Sequence, residues 1–233
     1  MSVVDLKRTV RKQSNPEKGK FLQRFFKTGK GEYAEGDIFA GITVPVSRKI
    51  SRQFKNLSLN DLSKVIKSKI HEERLIALFI LVGRMQKANE KEREKIYKFY
   101  LKNLKYINNW DLVDLSADKI IGEYLFDKKR ELLFKLVKGN LWERRIAVLS
   151  SFNFIKKNDY STTLKICKLL LTDKEDLIHK ATGWMLREIG KRDLKTEEDF
   201  LKLYYKKMPR TMLRYAVEKF PERKRKSYLL GRV

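Results

Sequence analysis

The chain has 233 residues, of which 54 are Lys or Arg and 29 are Asp or Glu, giving a formal charge of +25; 42% are hydrophobic and 11% aromatic. That apolar content excludes a disordered basic tail, and the charge of a chain able to fold points to a polyanionic partner, nucleic acid first. Only 11 Gly and 4 Pro argue against a β-sandwich or barrel, the single Cys167 excludes an internal disulfide, and the widely separated His71 and His179 offer no zinc cluster.

The N-terminus, MSVVDLKRTV, lacks the apolar stretch and cleavage site of a signal peptide. The longest apolar run, Leu75 to Gly83, falls short of the roughly 20 residues that span a bilayer. A soluble cytoplasmic protein with no membrane, metal or cofactor is expected.

Residues 1–44 stand apart as basic N-terminal helices ahead of the stacked helices expected over 45–233, all within one domain, 1–233. This segment carries nine Lys and Arg, Arg24 and Lys27 among them. FLQRFFK reads as a helix, and GKGEYAEGD after it, with Gly29, Gly31 and Gly36, reads as a flexible connector with amides available to an anion. No strand precedes it and no Gly-Lys-Ser/Thr follows, so a phosphate-binding loop is not expected. Pro45 suits the first position of the next helix. Farther on, Asn140 with Glu143 and Thr172 with Glu175 have capping-box spacing, and Pro209 and Pro221 divide the C-terminal third into short helices.

Three segments resemble one another: HEERLIALFILVGRM, LWERRIAVLSSF and DLIHKATGWMLREIG. Each sets a basic residue shortly before an alanine, Ala77, Ala147 or Ala181, and NNWDLVDLSADKII lies where a missing unit belongs. A period near 35 residues fits helix pairs stacked into a solenoid. An irregular helical bundle remains the alternative.

The segment from Asn108 is the richest in chemistry. With Asn108 as cap, Trp110, Asp111 and Asp114 take the second, third and sixth positions of a helix. The helix dipole accounts for Asp111. Asp114 lies past the first turn and four residues from Trp110, so carboxylate and indole share a face. Asp114 paired with an arginine of the next repeat, and Trp110 as core, is the competing reading. Arg145 suits a phosphate by its fork geometry, or is solvated or Asp-paired. Trp184 has core spacing, and the run Arg223 to Lys226 is either a solvated tail or a DNA contact.

The segments NNWDLVD, NLWERRIAVL and HKATGWMLREIGK, behind NPEKGKFLQRFFKTGKGEYAEGDIFAGITVP, make the chain resemble the AlkD-type DNA alkylation repair proteins. The resemblance implies an all-α, HEAT-like helical-repeat α-solenoid with a concave basic face. It implies a DNA glycosylase that removes cationic alkylpurines such as N3-methyladenine and N7-methylguanine from double-stranded DNA; a monomer is expected. On that resemblance Asp114 is the catalytic carboxylate, Trp110 and Trp184 lie against the lesion's sugar, and Arg145 contacts DNA, with Arg24 and Lys27 as further DNA-binding residues. Phe25 stands where the family has a tyrosine near the lesion, and Asn109 replaces an aromatic found in some members. The alternative is a non-catalytic relative that binds bent or branched DNA; a protein-binding scaffold is a third class.

Overall fold

The computed structural model describes residues 1–233 and is all-helical, with one isolated parallel bridge between Ile38 and Ile70. It divides into two compact units, Met1–Ile120 and Ile121–Val233.

The first unit contains α1 (Val3–Lys12), α2 (Pro16–Phe25), α3 (Val44–Gln53), α4 (Leu59–Val65), α5 (His71–Met85), α6 (Glu90–Lys102) and α7 (Trp110–Ala117). Six of these helices open on a side chain that accepts a first-turn amide: Ser2, Asn15, Thr43, Ser58, Asn89 and Asn109. Because Thr43 is the cap, Pro45 takes the second helical position, one later than expected. Helix α5 packs against both α3 and α7. Its Leu75, Ile76, Ala77, Leu78 and Leu81 are all buried, which is why the longest apolar run of the sequence lies there.

The connector after α2 does not present its amides to an outside anion. The Gly29 and Gly31 amides donate to the carboxylates of Glu32 and Glu35, at 2.8 and 2.9 Å. Farther along, the amides of Ala40, Gly41 and Ile42 all donate to the buried Glu72 carboxylate, at 2.8, 2.8 and 3.1 Å. The segment is thus pinned to the first turn of α5, with the Ile38–Ile70 bridge beside it.

The second unit contains α8 (Glu123–Leu125), α9 (Glu131–Leu136), α10 (Leu141–Ser150), α11 (Phe152–Lys156), α12 (Ser161–Leu169), α13 (Asp176–Gly190), α14 (Leu194–Tyr204), α15 (Arg210–Ala216) and α16 (Glu222–Leu229). Helix α10 packs on α9 and α13, and α13 packs on α14 and α15. Cys167, Leu186, Leu201, Met212, Ala216 and Tyr228 belong to one apolar core. The Asn140–Glu143 capping box forms as its spacing predicts. The Thr172–Glu175 box does not, because the Asp173 carboxylate takes the Glu175 amide at 2.9 Å and α13 starts only at Asp176. Pro209 and Pro221 stand immediately before α15 and α16. The run Arg223 to Lys226 is helical, with Arg225 and Lys226 paired to Glu222 and Lys224 paired to Glu198.

The repeated alanines Ala77, Ala147 and Ala181 are fully buried, as is Ala117 of α7 in the segment between them. Two of the basic residues ahead of these alanines close the preceding turn. Arg74 donates to the Ser68 carbonyl at 3.2 Å and Arg144 to the Gly139 carbonyl at 2.9 Å. The repeat signal therefore records both a close-packed helix face and a tied turn. No helix is long and apolar enough to cross a membrane.

Candidate functional site

In the first unit the site is built on the start of α7. The cap is Asn109 and not Asn108, so Trp110, Asp111 and Asp114 stand at the first, second and fifth helical positions. Asn109 accepts the Trp110 amide at 2.8 Å through its side-chain oxygen, and its Nδ2 donates to Asp37 Oδ2 at 3.3 Å. An aromatic at this position would leave the Trp110 amide without this cap, so Asn109 has a local structural purpose.

The Trp110 indole is half-buried and lies almost flat on Phe26, with centroids 5.0 Å apart and planes 11° apart. Phe26 in turn stacks on Phe39 at 4.8 Å. Phe25, the last residue of α2, meets Trp110 edge-on at 6.2 Å and remains 56% exposed. One turn earlier Phe21 lies 6.3 Å from Phe25 and is 60% exposed. Two open phenyl rings therefore extend the aromatic surface outward from Trp110, with the exposed Arg24 and Lys27 on the same stretch of chain. Lys27 adopts a left-handed backbone, φ 53°, where the chain leaves α2.

Asp114 is half-buried one helical turn after Trp110, which places carboxylate and indole on one side of α7. Its charge reaches the buried Tyr100 hydroxyl, which bonds Ser116 at 2.9 Å. Burial, then Asp118 and Asp114, hold that phenol protonated well above its ordinary range.

Asp111 is more than a dipole complement. Its Oδ2 meets Nε2 of the buried His71 at 2.8 Å, while His71 Nδ1 meets Asp37 Oδ2 at 3.2 Å. Arg74 Nη2 donates to both oxygens of Asp37 at 2.7 Å. Burial works against a charged His71, but the two carboxylates outweigh it and raise its pKa. Burial likewise disfavours the Asp37 carboxylate, but His71 and Arg74 hold its pKa below the usual range. Asp37, His71 and Phe21 have no signature of their own in the sequence: the first two partner residues more than thirty positions away, and Phe21 is recognisable only by its helical spacing from Phe25.

In the second unit Trp184 is half-buried on α13. Its indole N–H donates to Glu188 Oε1 at 3.3 Å, and Phe152 packs 5.7 Å away at 50°. Trp184 is thus neither plain core nor fully open. Burial would raise the Glu188 pKa, but Lys191 and Arg192, with help from the indole, bring it below the usual range. Arg145 is buried and donates to the Leu177 carbonyl at the start of α13, so it is not a solvated arginine. No group of three or more His, Cys, Asp or Glu is placed to hold a metal ion.

The family model described as DNA alkylation repair enzyme matches residues 6–220. Among solved structures, a predicted DNA alkylation repair enzyme from Enterococcus faecalis is similar in fold, with a TM-score of 0.69 and 20% identity over 90% of this chain and 98% of the other. Comparison with curated proteins finds no match.

Proposed function

The chain belongs to the DNA alkylation repair enzyme family, and from that premise we propose that it is a glycosylase hydrolysing the N-glycosidic bond of cationic alkylated purines in duplex DNA. The observation that carries the reading is the placement of Trp110 and Asp114 on one side of α7, with Phe25 against Trp110 and the exposed Arg24 and Lys27 flanking Phe25 in the chain.

The chemistry asks little of the protein. An N3- or N7-alkylated purine is already positively charged and leaves as a neutral base without a general acid. Positive charge then develops on the deoxyribose. One carboxylate near C1′ stabilises that charge and orients or deprotonates the attacking water. At about 4 Å and an effective dielectric near 20 the pair is worth roughly 4 kcal/mol, about a thousandfold in rate. An indole face toward a cationic sugar adds about 1 kcal/mol. In this reading Asp114 is catalytic, Trp110 faces the sugar, and Arg24 and Lys27 hold the backbone; Trp184 and Arg145, in the second unit, are the further DNA contacts that the resemblance implies.

Phe25, a ring without the hydroxyl of the family's tyrosine, favours a second reading: a non-catalytic protein that binds bent or branched DNA. Incubation with methylated duplex DNA separates the two. The glycosylase reading expects free methylated base to appear with time and enzyme. A protein that releases none, yet prefers a branched junction over a duplex, contradicts it.

A further inference from the structure

Resting on the glycosylase reading, we propose that Asp37 and His71 are positioning residues: through Asn109 and Asp111 they hold the first turn of α7, and so set Trp110 and Asp114 for excision.

Helix α7 runs on without a break into a π-helical turn, Asp118–Gly122, and its first turn is gripped from outside at two places. Asn109, the cap, donates to Asp37, and Asp111, the second helical residue, meets His71 Nε2. Neither grip comes from a neighbour in sequence. Asp37 belongs to the glycine-rich connector and is anchored by both its oxygens to Arg74. His71 and Arg74 both stand on α5, whose apolar run makes it a rigid support. Trp110 lies between the two gripped residues.

The same histidine also backs the aromatic layer beneath Trp110. Its ring stacks on Phe39 at 4.3 Å and 20°, and lies 5.4 Å from Phe26, the ring on which the indole rests. Nitrogen atoms and ring face therefore converge on one short helix start. This gives the connector a purpose: its Asp37 carboxylate locks the register of the helix that carries Asp114.

The grip depends on protonation. To donate to Asp111 and Asp37 together, His71 needs a proton on both nitrogens; a neutral imidazole can donate to only one. The charged groups facing it are Asp37 from the connector, Asp111 from α7 and Arg74 from its own helix, with Phe26 and Phe39 forming the rest of its wall. Burial and Arg74 oppose the charge, and the two carboxylates prevail. A raised folded pKa means the double grip is complete below the ordinary histidine range and is lost as pH rises through the folded value.

The test combines single-turnover excision across pH with amide hydrogen exchange at Trp110 and Leu112, for the wild type, His71→Gln and Asp111→Asn. Asp111 is partly exposed, so its variant keeps the experiment readable if His71→Gln folds poorly. Both variants are expected to slow excision roughly ten- to a hundredfold while leaving DNA affinity nearly unchanged. The alkaline limb of the pH profile should vanish in His71→Gln and move to lower pH in Asp111→Asn, and exchange at the two amides should rise about tenfold. Folded variants with the wild-type profile and wild-type exchange overturn the proposal. Should the wild type excise nothing, the glycosylase reading fails alone: faster exchange in the variants still upholds the grip on α7, and unchanged exchange overturns it.

Discussion

Trp110 and Trp184 are both half-buried indoles, but they are held by different kinds of contact. The surroundings of Trp110 are gathered from α2, the connector, α5 and α7, through the buried residues Asp37, His71, Arg74 and Asn109. The Trp184 indole is bonded within its own helix, to Glu188 one turn later, and Glu188 is held by Lys191 and Arg192 just beyond. The first arrangement is long-range and joins several buried ions, whereas the second is local, one buried carboxylate whose two cations are partly open to water. Removing one member of a buried network strands a desolvated charge, whereas removing a carboxylate whose cations reach water leaves those cations solvated. The two regions should therefore respond very differently to single substitutions.

The largest effect is expected for Asp37→Ala, which leaves His71 and Arg74 without their shared carboxylate. A loss of about 3–5 kcal/mol in urea denaturation is expected, and a loss below about 1 kcal/mol would erase the contrast between the two regions.

A change of opposite sign is expected from Glu197→Gln on α14. Glu197 is buried beside Arg187, Gly190 and Phe220, in a cavity of about 240 Å³. Burial, with Glu198 adding to it and Arg187 opposing, pushes its pKa up to about 8. The folded state then holds a proton that the unfolded chain releases near the ordinary glutamate value. The group's contribution is most favourable at acid pH, falls as pH rises, and is lost above the folded value. Glutamine removes this slope and should stabilise the protein at pH 8 by a few kcal/mol, since each tenfold difference in proton affinity between the two states is worth about 1.4 kcal/mol. Parallel stability–pH curves for the two proteins would contradict this.

Gly183, next to Trp184, tests whether precision in the second unit resides in backbone approach instead of charge. A Cβ there would sit 2.4 Å from the Met212 carbonyl and 2.6 Å from Tyr215 Cβ, so Gly183→Ala must push α13 from α15. A cost of about 1–3 kcal/mol is expected by thermal denaturation; no cost would show that the contact yields. The smallest effect should come from Glu188→Ala, below about 1 kcal/mol by the same measurement, because Lys191 and Arg192 already reach water. A larger loss would make the second region respond like the first.

The same contrast explains what could be read from the sequence. The all-helical fold, the buried alanines Ala77, Ala147 and Ala181, and the Asn140–Glu143 box rest on contacts at fixed short spacing, and spacing reveals them. Trp110 and Asp114 are recognisable for the same reason, being four residues apart. The difference of one residue in the α7 cap has a long-range cause: Asn109 is fixed in place by Asp37, which Asn108 gives no hint of. Likewise Thr172 loses its place in a capping box to Asp173, which Arg144 engages at 2.7 Å from another helix. His71 looks isolated in the sequence because both its carboxylates are distant along the chain. The connector's glycines suggest open amides, and only the fold shows that Glu32 and Glu35 occupy them.

The central claim is that Asp114 performs chemistry and the surrounding charge performs binding. The most direct measurement is single-turnover release of N7-methylguanine from duplex DNA by the wild type and by Asp114→Asn, each at saturating protein, with Kd measured in parallel. The account predicts a rate lower by about a thousandfold at nearly unchanged Kd. Equal rates for the two proteins would contradict it.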